Sequence, residues 1–397
     1  MSVPESAIAT ASGGPEATLH AVRQIAREIA ARHAGEVDAQ ARFPTETLAA
    51  LKAARVLSAP LPPEQGGAGL GLRQQGDAVA ALAEACASSA MVLAMHYSQL
   101  ACAMRHGVNP ALKTFLRDLA AQQWLLASIT SEVGTAGDTR RSVCAVERHG
   151  DDFVLQKSGT TGSYCQQADA MLVTARVGPD AAPNDQVLVL VRRDQYALTQ
   201  TTPWDTLGMR GTCSPGVALR ARAPVSQILP VPFAEISAVS MVPHAHILWS
   251  AVWTGIAAGA FGKAAAFIRG QAGKSPGVVP PGAARLAAMS VGLQSMRDGW
   301  RAAAIDFDAM VAQARDRAEC TSLRWALRMN NLKIASAEAA PRLVHEALQT
   351  IGVAAYRNDG PFSLGRAYRD ALSGALMVSN DRIGAASASM LLVYKEA

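Results

Sequence analysis

The sequence predicts an α+β protein in three parts: an all-α domain over residues 1–123, an antiparallel β-barrel or sheet over 124–240, and an up-down helical bundle over 241–397. Three observations carry this expectation. Apolar residues recur at helical spacing as far as Gln122. Between Trp124 and Pro232 the period shortens to that of strands, in short runs separated by turns and by no helix. From His246 onward the helical period returns in long stretches with short links.

The elements follow in order. Residues 1–15, rich in Ser, Ala, Gly and Pro, read as a loose segment. Leu19, Val22, Ile25, Ala26, Ile29 and Ala30 then predict a helix over 18–33, with Thr18 as its cap. A second helix over 45–54 follows Pro44. Residues 61–71 form a Gly/Pro loop. Its Gly-x-Gly-x-x-Gly spacing fails and no strand precedes it, so no nucleotide role is assigned there. Further helices occupy 73–122, including 90–104, where His96 sits among Met91, Leu93, Met95 and Leu100. A lone histidine in such company is a core group before it is a catalyst. Strands are predicted over 125–130, 143–148, 153–156, 171–176, 186–192 and 216–221. The bundle is predicted as helices over 254–268, 284–315, 321–339, 342–350 and 366–394, with Gly255, Gly259 and Gly262 allowing close packing.

Bulk properties narrow the function. Half of the residues are hydrophobic and 17% are charged, a globular composition. The net charge of +5 is spread along the chain with no Lys/Arg block, which argues against nucleic acid and suits an anionic small ligand. The six cysteines form no Cys-x-x-Cys pair and have no histidine at metal-site spacing, so reduced thiols and no metal are expected. The weakly polar stretch 249–262 is too short to span a bilayer, and the N-terminus lacks the layout of a secretory signal. The expectation is a cytoplasmic protein with no membrane insertion.

One stretch organises the rest. In Ile129 to Asp138, Thr130, Ser131 and Thr135 bring hydroxyls, Glu132 and Asp138 bring carboxylates, and Gly134 and Gly137 let the main chain turn. Such a stretch suits the rim of a site where a flat, polar-edged cofactor lies against backbone; the bland alternative is an ordinary turn.

Ser131-Glu132-Val133-Gly134-Thr135-Ala136-Gly137-Asp138 resembles the Thr-Glu-Pro-x-Ala-Gly-Ser-Asp signature of the flavin-dependent acyl-CoA dehydrogenase superfamily. Leu207-Gly208-Met209-Arg210-Gly211-Thr212-Cys213-Ser214 is similar to that family's β-domain turn, and Pro63 to Gly69 to its N-terminal Gly/Pro loop. Gln349-Thr350-Ile351-Gly352 and Arg369-Asp370-Ala371 match its Gln-x-x-Gly-Gly and Arg-Asp-Ala elements. The resemblance covers nearly the whole chain. It implies FAD, with FMN as the alternative, and a tetramer or dimer of dimers sharing the cofactor across an interface. It also implies an acyl-CoA or other small-molecule substrate, and an electron-transfer partner or flavin reductase.

Carried over by position, the family's flavin-edge contacts fall on Thr130 and Ser131. The stretch lining its ring falls on Thr161, Gly162 and Ser163, with Thr161 in place of an aromatic residue. Arg269, Gln349 and Gly352 fall where the family holds the diphosphate and adenosine, and Asn380 on the segment facing the ring. The family's catalytic Glu falls on Val378, and its alternative location on Val252. A base must then come from elsewhere, with Asp381, His96, His244 and His246 as candidates, and the catalytic residue stays unassigned. The leading expectation is α,β-oxidation of an acyl-CoA thioester. The alternatives are a monooxygenase of the same fold using reduced flavin and oxygen, with His96 as proton donor, and a non-catalytic acyl-CoA or flavin binder.

Overall fold

The computed structural model describes residues 14–395. Most of the expected loose segment, and the stretch judged for a secretory signal, lie outside these residues. The first helix runs as Gly14–Ile25, a π-helical turn Ala26–Ala30, and Ala31–Ala39. Thr18 is not its cap. It is buried inside the helix, and its Oγ1 donates to the Gly14 carbonyl at 3.1 Å, the usual retreat of a mid-helix hydroxyl. Helices Thr45–Ala53, Leu72–Ala85, Ala87–His106 and Pro110–Gln122 complete the domain. The last is capped by Asn109, whose side chain accepts from the Leu112 N–H at 2.9 Å, with Pro110 in the first turn.

Seven strands follow among the described residues: β1 Leu126–Ile129, β2 Glu147–His149, β3 Asp152–Gly159, β4 Ala170–Arg176, β5 Gln186–Arg192, β6 Tyr196–Gln200 and β7 Val217–Pro224. They form two open sheets, ordered β1-β4-β5 and β2-β3-β7-β6, rather than a closed barrel. Every pairing is antiparallel except β1 with β4, where Leu126 lies opposite Ala170 in parallel register. The sequence reading lacked β6. It is an edge strand of the second sheet with no fully buried residue, so it carries little apolar alternation to read.

A continuous helix enters the bundle as Phe233–Ile236, a π-turn Ser237–Met241 and Val242–Lys274. By length and composition it could cross a membrane, yet 61% of its most apolar window is buried within the protein. A Cβ at Gly255 would stand 2.3 Å from the Ala80 carbonyl oxygen and one at Gly259 2.7 Å from that of Glu84, so both glycines set the approach of Leu72–Ala85. Gly262 faces nothing within 4 Å and has no such role.

Further boundaries in the bundle differ from expectation, beginning with the predicted helix 254–268, which is the middle of the continuous helix Phe233–Lys274. The predicted helices 321–339 and 342–350 are one helix, Leu323–Ile351, running through Pro341. An interior proline costs about 3 kcal/mol. The buried stripe of Ala337, Ala340, Leu343, Val344 and Ala347 offsets it. Conversely, the predicted last helix is broken into Gly365–Leu372, a 3₁₀ turn Ser373–Ala375 and Asn380–Leu391. Val378, at φ +48°, sits in the break. A left-handed conformation on a β-branched residue costs on the order of 1–3 kcal/mol, so something must hold it there.

Candidate functional site

Glu132 turns inward from the 129–138 loop and is 3% exposed. Its carboxylate accepts from the Ser142 hydroxyl at 2.7 Å, the Val143 and Cys144 N–H groups at 3.0 and 2.7 Å, and Lys157 Nζ at 3.0 Å. Lys157, fully buried on β3, also donates to the Thr174 carbonyl at 2.8 Å and its hydroxyl at 3.1 Å. Burial opposes the Glu132 charge, but the Ser142 hydroxyl and the Lys157 ammonium outweigh it and hold the carboxyl below its usual range. Glu132 is therefore an internal tie for the loop and not a reagent. Its partner was legible in principle, because Lys157 falls on the inward phase of β3 with Phe153 and Leu155.

Pinned from within, the loop turns outward through Gly134, Ala136 and Gly137, all at positive φ. Its rim is a set of hydroxyls. Ser131 Oγ accepts from the Thr161 N–H at 3.1 Å and lies 3.0 Å from the Thr161 carbonyl and 3.2 Å from its hydroxyl. The Ser214 hydroxyl donates to Ser163 Oγ at 2.8 Å and lies 2.9 Å from Thr212 Oγ1. Thr130 is half-buried beside Ser131. The structure thus brings together Thr130, Ser131, Thr161, Ser163 and the turn containing Thr212 and Ser214. Tyr164, the next ring in sequence, does not replace the missing aromatic, since it is fully buried with its hydroxyl donating to the Leu126 carbonyl at 3.2 Å.

The bundle closes this rim. The Arg382 guanidinium, on Asn380–Leu391, donates to the carbonyls of Ala136 and Gly137. Just before it lie Asn380 and the exposed Val378, and beneath both lies Lys333, 0% exposed. Lys333 Nζ donates to the carbonyls of Gly374 and Val378 at 2.9 and 2.7 Å and to Asn380 Oδ1 at 2.7 Å. Burial lowers its pKa to about 8. The sequence reading passed over Lys333, although it interrupts the buried stripe of its helix between Met329 and Ala337.

A second joint fixes the β domain on the bundle. The Asp370 carboxylate accepts from the Met209 N–H at 2.6 Å, while Arg369 donates to the Leu207 carbonyl at 2.8 Å and to Asp38 at 3.0 Å. Burial pushes the Asp370 carboxyl up to about 6. A Cβ at Gly208 would stand 2.2 Å from the Arg369 carbonyl oxygen, and one at Gly211 2.3 Å from Val37 Cγ1. The two sequence motifs are thus the two faces of one contact.

The proton-transfer candidates do not meet at the rim. Leu126 N–H donates to His96 Nδ1 at 3.0 Å, and His96 Nε2 faces the Leu57 carbonyl at 2.8 Å. Both nitrogens are occupied, the ring is fully buried, and burial lowers its pKa to about 4. His96 is a satisfied core group whose one ring proton, on Nε2, is engaged by the Leu57 carbonyl. His244 and His246 are likewise buried, with Nδ1 bonded to the Ser240 and Met329 carbonyls and pKa values lowered to about 3 and about 4. Asp381 is exposed in the first turn of its helix. Val252 is wholly buried in Val242–Lys274, where a carboxylate would have no access to solvent.

Arg269, Gln349 and Gly352 lie elsewhere, on helix ends that meet near Gly282. Ile268 and Thr350, their neighbours, both pack at Gly282, where a Cβ would meet them at 2.5 and 3.2 Å. Gln349 is exposed, its Oε1 accepts from Arg285 at 2.7 Å and its Nε2 lies 3.0 Å from His345. Arg269 is exposed, and Gly352 ends its helix at φ +76°. This is a cationic, amide-bearing cluster, and Arg285 adds to it a charge the sequence reading had not placed.

Comparisons with known proteins bear on the family and the fold. A family model described as the acyl-CoA dehydrogenase N-terminal domain matches residues 15–123, and one described as the C-terminal domain matches 237–377, together well over half of the chain. A probable acyl-CoA dehydrogenase of Mycobacterium tuberculosis is 27% identical over 360 residues, 88% of each chain. An amino sugar nitrososynthase of Streptomyces peucetius is 26% identical over 356 residues, covering 86% of this chain and 84% of that one. Among solved structures, the FMN-bound form of the dibenzothiophene monooxygenase of Paenibacillus sp. A11-2 superposes with a TM-score of 0.81 at 19% identity, covering 96% of this chain and 98% of that one.

Proposed function

The chain belongs to the acyl-CoA dehydrogenase superfamily, and from that premise we propose that it is a flavin-dependent monooxygenase of this fold, acting on a small amine or aromatic substrate. One observation carries the choice. Both locations of the family's carboxylate base are valines, Val378 and Val252, and the carboxylate of the loop itself, Glu132, is tied to Lys157. Removal of an α-proton from a thioester needs a base with access to it. Transfer of oxygen does not. The relatedness to a nitrososynthase, and a fold shared with a sulfur-heterocycle monooxygenase, support the same reading.

The residues present fit a flavin. Ser131, Thr161 and Ser163 offer hydroxyls along one edge, and the turn of Gly134 to Gly137 lets main chain approach a flat ring. A bound, reduced flavin would supply the two electrons with which one atom of dioxygen passes to the substrate and the other leaves as water. The chain's own contribution is to orient. Thr161, exposed at the rim, would offer its hydroxyl to the ring edge, while Ser131 holds Thr161 in place through the bond from its N–H. Val378, exposed in the break before Asn380–Leu391, puts an apolar side chain where the family carries its carboxylate. The Arg269, Arg285 and Gln349 cluster suits a diphosphate, which favours FAD over FMN, and its exposure suits delivery to a neighbouring subunit of a homo-oligomer. A separate reductase would supply the reduced flavin.

Acyl-CoA oxidation is the second reading, favoured by the loop signature and by the mycobacterial relative. It would rest on Asp381 as base. Turnover under labelled dioxygen separates the readings: oxygen label in a hydroxylated or nitroso product supports ours, and unlabelled, desaturated product supports the other.

Ser131→Val tests the cofactor assignment itself. Removing a hydroxyl that serves the rim and braces Thr161 loses one or two hydrogen bonds of about 1 kcal/mol each, so the flavin Kd should rise roughly 5- to 30-fold. Unchanged affinity by fluorescence titration would count against placing the ring at this edge.

A further inference from the structure

We infer that Lys333 is a positioning residue for the flavin site, clamping the break between the last two helices so that Val378 and Asn380 keep one edge of that site in place. The inference rests on the reading that this edge faces the flavin. Its physical basis is independent of it.

The break is poorly held by its own side chains. Leu376 is 79% exposed and Val378 44%, and Met377 is the residue of this stretch that packs against the core. Val378 is also in the left-handed region, at φ +48°. Burial and backbone preference therefore both favour unravelling.

Lys333 opposes this from another helix. An ammonium has three protons, and all three are used: on the Gly374 carbonyl at the end of one helical segment, on the Val378 carbonyl in the break, and on Asn380 Oδ1 at the start of the next helix. It thus caps a helix C-terminus, where a cation is electrostatically favoured, and tethers the following N-terminus with the same group. The Trp253 ring, 5.7 Å from Nζ, supplies the remaining wall, and none of the three acceptors is a carboxylate. A fully buried lysine without an ion-pair partner is retained at a cost, and the clamp is what that cost secures. With every proton engaged, Lys333 has none free for the reaction. It acts through the turn.

The test uses the full chain loaded with FAD. In Lys333→Met, hydrogen exchange at the amides of residues 374–380 should speed up at least 10-fold, while amides of Leu323–Ile351 outside one turn of position 333 stay within about 2-fold. The flavin Kd should rise about 10-fold, and the visible circular dichroism of bound flavin should change. Lys333→Arg, which keeps a donor-rich cation, should recover part of each effect. Loosening spread evenly over the bundle, or wild-type exchange at 374–380 in Lys333→Met, would overturn the inference by leaving Lys333 as an ordinary core group. If Lys333→Met does not fold, Lys333→Arg decides: exchange confined to 374–380 supports the clamp, and uniform exchange overturns it. Local loosening without any change in flavin affinity or dichroism would also overturn it. Failure of the wild-type chain to bind flavin would instead refute the cofactor reading, since the exchange pattern is measurable without flavin.

Discussion

Glu132→Ala should destabilise the β domain by about 3–5 kcal/mol, because removing one partner of a buried ion pair leaves the other charge without compensation. Lys157 would keep Thr174 as an acceptor and lose its counter-charge, and the Val143 and Cys144 N–H groups would lose their acceptor. Urea unfolding followed by β-sheet circular dichroism reads the loss, and a shift below about 1 kcal/mol would contradict it. Glu132→Ala/Lys157→Met should recover part of the stability, since the orphaned charge goes with its partner. The pH dependence has a definite sign. The Glu132 carboxyl is held below its unfolded value, so its contribution is complete above the ordinary carboxylate range and is lost as pH falls through the depressed native value. Glu132→Gln should accordingly flatten the acid limb of the stability curve and leave the alkaline limb unchanged.

Gly208→Ala is the second large effect. The added Cβ would lie 2.2 Å from the Arg369 oxygen, 2.4 Å from its carbonyl carbon and 2.7 Å from Asp370 N, all main-chain atoms that no rotamer change can move. The β-domain turn must separate from helix Gly365–Leu372, stretching the Met209–Asp370 and Leu207–Arg369 bonds. Overpacking costs about 1–3 kcal/mol, and a buried carboxylate deprived of its donor a similar amount again. A loss of about 3 kcal/mol in thermal or urea unfolding is expected, with weaker flavin binding because the two walls of the site part. Gly262→Ala is the control. With nothing within 4 Å of the new methyl, on an exposed helical turn, it should be neutral or stabilising by up to about 1 kcal/mol. Equal stability of the two variants would refute the contact as described.

The three-part architecture was legible because periodicity reports which face of an element is buried, and here the period changes twice along the chain. The signature segments were legible too, and the structure explains their chemistry: Gly208 and Asp370 are two sides of one joint. What escaped reading depended on tertiary context. Thr18 looked like a cap and is a buried mid-helix hydroxyl, and Pro341 looked like a terminus and is carried through by packing. β6 has too little burial to leave a pattern, and the break at Val378 interrupts a stretch whose composition suits helix throughout.

Of the candidate site residues, the structure brings some together. The candidate hydroxyls Ser131 and Thr161 do meet, and Ser163 adjoins Ser214. Lys157 and Lys333, the two buried cations that pin its walls, were missed, because a lysine within an apolar pattern is ordinarily assigned to the surface. Both interrupt an inward-facing phase, and that interruption was the available signal. His96, read as a core group before a catalyst, has main chain on both of its nitrogens, which leaves no room for its alternative role as proton donor.

The central claim is that this flavin site lacks a base able to take an α-proton from a thioester. Anaerobic mixing of the FAD-loaded protein with saturated acyl-CoAs of short, medium and long chain tests it most directly. The visible flavin band should persist with every acyl-CoA, while a chemical reductant bleaches it, confirming that the bound flavin is redox-competent. Bleaching by any saturated acyl-CoA, with the matching enoyl-CoA as product, would contradict the account.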